Sequence, residues 1–172
     1  MKIVLLGYMA SGKSLIGKKL SAVLEYDFID LDDYIEQNEN KTITDIFSDK
    51  GEIYFRKAEH LFLKEILSQE KNMVLALGGG TPCYHNNMKT ILENQDVVSV
   101  YLNVPLSEIV NRLKNEKESR PIVSHISKDE DLFEFVGKHL FERSHFYRQA
   151  NFIIQANSSP EAIVKEIVLN LF

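Results

Sequence analysis

The sequence predicts an α/β domain built on a five-stranded parallel sheet with helices on both faces. Three observations carry this. Apolar, strand-like runs occur at 2–6, 26–30, 72–77, 97–102 and 151–154. The segments between them repeat apolar residues at helical spacing, so strands and helices alternate, the pattern of a parallel sheet buried on both sides. The first run, Ile3-Val4-Leu5-Leu6, passes straight into Gly7-Tyr8-Met9-Ala10-Ser11-Gly12-Lys13-Ser14, which matches G-x-x-x-x-G-K-[ST]. A helical pattern (Leu15, Ile16, Leu20, Val23, Leu24) follows at once. Strand, phosphate-binding loop and helix thus arrive in the order a nucleoside triphosphate site requires.

The bulk composition narrows the setting. A chain of 172 residues, 44% apolar and 26% charged, is one ordinary globular domain. A net charge of −5 argues against a broad nucleic-acid footprint, so phosphates must be held by a few local cations. Cys83 is the only cysteine, which excludes an intrachain disulfide and a multi-cysteine metal site; it reads as a small residue near a turn. With no basic-then-apolar leader and no bilayer-length apolar run, the expected setting is cytoplasmic, without membrane or nucleic-acid partners. No exposed apolar stripe stands out, so a monomer is expected.

In open parallel sheets, ligands sit beyond the carboxyl ends of the strands. After the first run, the glycines let backbone N–H groups turn toward phosphate oxygens, Lys13 reaches the outer phosphates and Ser14 can ligate Mg²⁺. After the second run come Asp30, Asp32 and Asp33. Phosphoryl transfer needs a metal-directed acid and a proton acceptor. The apolar run 73–77 ends in Gly78 where many P-loop proteins place an acid, so the metal-side role falls to Asp30, and Asp32 faces the acceptor. Asp33 caps the next helix or is solvated. After the third run, Gly78-Gly79-Gly80 lets backbone approach a ligand closely.

Two arginines border apolar helix faces. In the helix that Gly51 opens, Arg56 adjoins the stripe Phe55, Ala58, Phe62, Ile66 with Glu59 three residues on, a spacing that suits either an exposed ion pair or a guanidinium aimed into a cleft. Arg143 continues the stripe Leu132, Val136, Leu140, where a charge needs a partner, a ligand or a route to solvent. The polar stretch 115–127 between two helical patterns has the length of a lid, and Arg120-Pro121 lies in it. The five histidines show no ligand spacing and read as structural or solvated.

In sequence order, the set Gly7 to Ser14, Asp30-Leu31-Asp32, Gly51-Glu52 with Phe55-Arg56 and Glu59, Gly78-Gly79-Gly80, Arg120-Pro121, and Glu142-Arg143 with Tyr147 resembles the shikimate kinase family over essentially the whole chain. The resemblance implies ATP-dependent phosphorylation of the 3-hydroxyl of shikimate, a step toward chorismate and the aromatic amino acids. It also implies a nucleoside-monophosphate-kinase-like P-loop fold in three α/β/α layers. The chain would form a single kinase domain over 1–172, with a substrate-binding helical segment at about 31–62 and a lid at about 113–127.

Carried over residue by residue, Asp32, Arg56, Gly78, Gly79, Gly80 and Arg143 resemble the acceptor contacts. Arg56 and Arg143 would take the carboxylate, and Asp32 the ring hydroxyls and the proton. Ala10, Ser11, Gly12, Lys13, Ser14 and Leu15 resemble the ATP loop, Arg112 the adenine-stacking residue, and Arg120 the lid arginine on the phosphates. Ser14 and Asp30 would serve Mg²⁺. The loop at about 157–160, where the family also touches adenine, carries no matching side chain.

Three positions depart from the family pattern: Leu15 for threonine, Ile122-Val123 for a leucine pair, and Ser144-His145 for a segment that carries proline. The last bears on how rigidly Arg143 is presented. A gluconate or nucleoside monophosphate kinase of similar fold shares much of the residue chemistry. The family spacing favours shikimate.

Overall fold

A computed structural model describes residues 1–116, 126 and 128–172. The strands β1 (Lys2–Leu6), β2 (Asp27–Asp30), β3 (Met73–Ala76), β4 (Val97–Asn103) and β5 (Phe152–Gln155) form one parallel sheet in the order β2-β3-β1-β4-β5. Each lies within one residue, at either end, of the run expected from sequence. Ile3 to Leu6 of central β1 are fully buried, whereas Asp27 and Ile153 on the edge strands are exposed. This is why the central runs are uniformly apolar and the edges are not.

The helices are α1 (Lys13–Leu24), α2 (Leu31–Glu39), α3 (Ile43–Ser68), α4 (Asn87–Glu93), α5 (Leu106–Glu116), α6 (Asp129–Tyr147) and α7 (Pro160–Leu171). Right-handed crossovers put connections that run in opposite directions on opposite faces. Accordingly α1 packs with α7 on one face, and α3 with α4 on the other. The α1 layer approaches closely: a Cβ on Gly17 would lie 2.4 Å from the Phe28 ring. Gly51 (φ 78°, ψ 171°) breaks α3 into two helical stretches, and the helix expected to open there is the second of them.

From β1 the chain moves to one side of the sheet, and later to the other through β4 and β5. A crevice therefore opens at the carboxyl end of β1, the place such sheets use for ligands.

Candidate active site

Everything at this crevice starts from the loop after β1. Gly7 has φ 152°, and a Cβ there would lie 2.7 Å from Ser11 Oγ and 3.1 Å from the Leu102 carbonyl, so glycine is required. Ala10 holds a left-handed conformation (φ 58°) that costs a non-glycine residue about 1 kcal/mol. Its carbonyl accepts a hydrogen bond from Arg112 Nη1 at 3.1 Å, and Arg112 Nε is fixed by Glu108 at 2.8 Å. Lys13 Nζ folds back to donate to the Gly7 and Tyr8 carbonyls, both at 2.9 Å.

Ser14 Oγ donates to Asp30 Oδ2 at 2.6 Å, while Asp30 Oδ1 accepts from the Asp32 amide at 3.1 Å. Asp30 is thus the helix cap of α2 as well as the partner of Ser14, and exposed Asp33 sits in the first turn of α2 without capping it. A hydroxyl and a carboxylate oxygen side by side are the hard donors Mg²⁺ prefers. Among the described residues no cluster of three His, Cys, Asp or Glu could hold a metal alone.

Asp32 opens α2 toward the cavity. Burial, with Asp30 and Glu59 nearby, pushes its carboxyl up to about 7, against the opposing pull of Lys13 and Arg56. Gly78 makes room for it: a Cβ at Gly78 would lie 2.8 Å from Asp32 Oδ1.

Opposite stands Arg56, its side chain 14% exposed, donating to Glu59 Oε2 at 2.9 Å and lying 3.9 Å over the Tyr84 ring. Glu59 is itself 1% exposed and accepts from Thr81 Oγ1 at 2.6 Å. Buried Asn87 donates to the Thr81 carbonyl at 2.8 Å and meets His60 Nδ1 at 2.6 Å. The sequence left open an exposed pair or an aimed guanidinium. The structure gives a buried carboxylate and an arginine at the cleft wall. Gly80 leaves room for this guanidinium: a Cβ there would stand 2.9 Å from Arg56 Nη2 and displace the tip of the side chain.

Arg143 is mounted differently. Among the described residues it has no carboxylate within ion-pair distance. One turn on, the Tyr147 hydroxyl donates to the Gly79 carbonyl at 2.5 Å. One turn earlier, His139 Nδ1 lies 2.8 Å from the Tyr8 hydroxyl, and the Arg143 guanidinium lies 6.0 Å over the Tyr8 ring. The helix runs unbroken through Ser144-His145, so the loss of proline there leaves no kink.

These groups share one cavity of about 1010 Å³. Every residue expected at the site lines it (Ala10 to Leu15, Asp30, Asp32, Arg56, Gly78 to Gly80, Arg112 and Arg143) except Arg120, which lies outside the described residues. The described part of the expected lid is its start on α5 together with buried Ile126.

Sequence reading missed the wall formed by Ile43, Thr44 and Phe47, and the roles of Tyr8, Thr81 and Tyr84. It also found no group after β5, where Ser158 and Pro160 reach the cavity beside Ala156 and Ile163. Cys83 lies in the short 3₁₀ turn Thr81–Cys83, and burial pushes its thiol up to about 11, which keeps it inert.

A phosphate loop at the switch point of a parallel sheet, facing a charged second wall across one cavity, defines the class of P-loop small-molecule kinases. The family model described as shikimate kinase matches residues 9–172. A shikimate kinase of Flavobacterium psychrophilum is 46% identical over 172 residues, covering 99% of both chains. The crystal structure of shikimate kinase from Bacteroides thetaiotaomicron superposes with a TM-score of 0.90 at 35% identity, over 99% of this chain and 98% of that one. That of the Acinetobacter baumannii shikimate kinase in complex with shikimate gives 0.86 at 28%, over 99% and 92%. The chain belongs to the shikimate kinase family.

Proposed function

We propose that this protein transfers the γ-phosphoryl group of ATP to the 3-hydroxyl of shikimate, yielding ADP and shikimate 3-phosphate. The observation that carries the reading is the charge balance of the cavity wall. Arg56 is neutralised by Glu59, Arg143 has no carboxylate partner among the described residues, and Asp32 lines the same cavity. Such a wall suits an acceptor with one carboxylate and several hydroxyls. The relative that carries bound shikimate supports the same acceptor.

Lys13, the α1 amides and Arg120 hold the triphosphate. Ser14 and Asp30 would hold Mg²⁺, which when bound neutralises the phosphate oxygens and screens the charge that shifts to ADP. Arg112, with Ser158 and Pro160, flanks the adenine. Arg143 and Arg56 fix the carboxylate so that the 3-hydroxyl faces phosphorus, and Gly78 to Gly80 line that wall. The acceptor oxygen bonds to the γ-phosphorus as the bond to the β-bridging oxygen breaks, and the hydroxyl proton passes to Asp32. Positioning supplies most of the rate, and proton transfer adds about 10²–10⁴-fold.

Acceptor binding falls to residues 31–62 and lid function to 113–127, within a single domain. ATP as co-substrate supports a cytoplasmic setting; no described helix is long and apolar enough to cross a membrane. Gel filtration tests the expected monomer.

The deciding assay couples ADP release from Mg²⁺-ATP to shikimate, gluconate and nucleoside monophosphates in parallel. Turnover is expected with shikimate alone, with a single 3-phosphate product by ³¹P NMR. Turnover with gluconate instead would keep the phosphate chemistry and overturn the acceptor.

A further inference from the structure

Residues 139, 143 and 147 stand at i, i+4 and i+8, on one face of α6. The outer two are tied to different loops. His139 meets the Tyr8 hydroxyl at 2.8 Å, and the Tyr147 hydroxyl donates to Gly79 at 2.5 Å. Tyr8 follows β1 and Gly79 follows β3, and these strands are neighbours in the sheet.

We propose that the Tyr8–His139 and Tyr147–Gly79 contacts form a two-point clamp that pins α6 one turn either side of Arg143 and fixes the guanidinium for the acceptor carboxylate. The inference rests on the reading of Arg143 as that anchor. Tyr8, His139 and Tyr147 are then positioning residues, none of which touches the reacting atoms.

Several features fit a clamp better than incidental packing. Tyr8 is buried to 1% exposure inside the phosphate loop, yet its hydroxyl reaches a helix 131 residues away. Burial raises the phenol to about 12, so it stays protonated and donates. Burial and Arg143 lower His139, so the imidazole is neutral, and in the Nε2–H tautomer its Nδ1 accepts from the phenol. Phe135, 5.4 Å away between ring centroids, stacks on the same imidazole and limits its rotation. Tyr101 stacks on Tyr147 at 5.2 Å and does the same at the other end. Arg143 itself has four side-chain torsions and no carboxylate partner among the described residues. Without such contacts its guanidinium would sample several rotamers and lose affinity to ordering entropy.

The test compares Tyr8→Phe, His139→Ala, Tyr147→Phe and the conservative His139→Gln, which keeps an acceptor for the Tyr8 hydroxyl. Tyr8→Phe, His139→Ala and Tyr147→Phe should each raise the KM for shikimate about 5- to 20-fold, with kcat and the KM for ATP within about twofold. Tyr8→Phe/His139→Ala should be no worse than His139→Ala alone, because the alanine already breaks the one hydrogen bond the two share. His139→Gln should restore the wild-type KM.

An unchanged shikimate KM in Tyr8→Phe, or an equal rise in both KM values, overturns the clamp. Should His139→Ala fail to fold, Tyr8→Phe and His139→Gln still decide. Arg143→Ala separates the two levels. If it raises the shikimate KM while Tyr8→Phe does not, only the clamp fails. If it leaves that KM unchanged, the acceptor reading fails with it.

Discussion

The two arginines of the cavity wall are mounted on opposite physical principles. Arg56 is held by charge: a buried carboxylate, Glu59, anchored through Thr81 and Asn87 to the turn after β3. Among the described residues Arg143 has neutral surroundings: it lies over the Tyr8 ring, between the Tyr8–His139 contact one turn before and the Tyr147–Gly79 contact one turn after. A buried ion pair is strongly destabilising when only one partner is removed, because the other charge is orphaned. A neutral mount leaves no such charge behind. Among the described residues, one arginine shares an ion pair with a buried carboxylate and the other has no carboxylate partner.

The largest expected effect falls on the charged mount. Glu59→Ala should cost about 3 kcal/mol of stability in urea unfolding, since it leaves Thr81 Oγ1 without its acceptor and Arg56 with only the 3.5 Å contact to Glu52. A loss below ~1 kcal/mol would mean that Arg56 is not held by charge.

Asp32 comes next, and it sharpens the comparison because Glu59 helps to raise its carboxyl to about 7. Its folded value stands above the unfolded 3.8, so the native state binds the proton more tightly. That stabilisation is complete below about pH 4 and is lost as pH rises toward 7, at most about 4 kcal/mol. Asp32→Asn should therefore raise the Tm of the free protein at pH 7.5 but not at pH 4, while cutting kcat by about 10²-fold or more. In wild type, kcat/KM for the acceptor should rise through pH 7, and Asp32→Asn should abolish that limb. A Tm equally raised at both pH values would contradict the assignment.

The neutral mount predicts the reverse of Glu59. Arg143→Ala should change stability by less than about 1 kcal/mol yet raise the acceptor KM about 10- to 100-fold, the worth of a charge-assisted contact. A large Tm loss would put Arg143 in the same class as Arg56.

The smallest effects separate two adjacent glycines. At Gly80 a Cβ meets the mobile tip of Arg56 at 2.9 Å, whereas at Gly79 it meets the rigid Met9 amide at 3.2 Å. Gly80→Ala should weaken the acceptor KM a few-fold, and Gly79→Ala should weaken ATP binding by displacing the phosphate loop. Identical profiles for the two variants would erase the distinction.

The strands and the phosphate loop were legible in the sequence because each depends on local spacing, while Arg112 and the role of Arg56 in the cavity lining came from the family resemblance. Apolar runs fix β1 to β5, and the loop motif fixes Gly7, Gly12, Lys13 and Ser14. Glu59 was legible only as a neighbour of Arg56. Its burial depends on Thr81, 22 residues away, which no helical period encodes. Tyr8 looked like a filler position of the motif, and its partner His139 lies 131 residues on. The contribution of Ser158 and Pro160 was hidden because small side chains carry no motif, only a place in the fold. The break at Gly51 shows the same limit. A glycine marked a helix start correctly, while the stretch before it, opened by the Thr42 cap, was covered only by the helical segment at about 31–62 that the family resemblance implied.

The claim that an arginine with a neutral mount receives the acceptor carboxylate is tested most directly by pairing a chemical change with a mutation. Shikimate and its carboxamide, which carries no charge at that position, would be compared by kcat/KM in wild type and in Arg143→Ala. The account predicts about a 100-fold penalty for the carboxamide in wild type and only a few-fold penalty in the variant, because the anchor is already gone. Equal penalties in both proteins would contradict it and move the carboxylate elsewhere in the cavity.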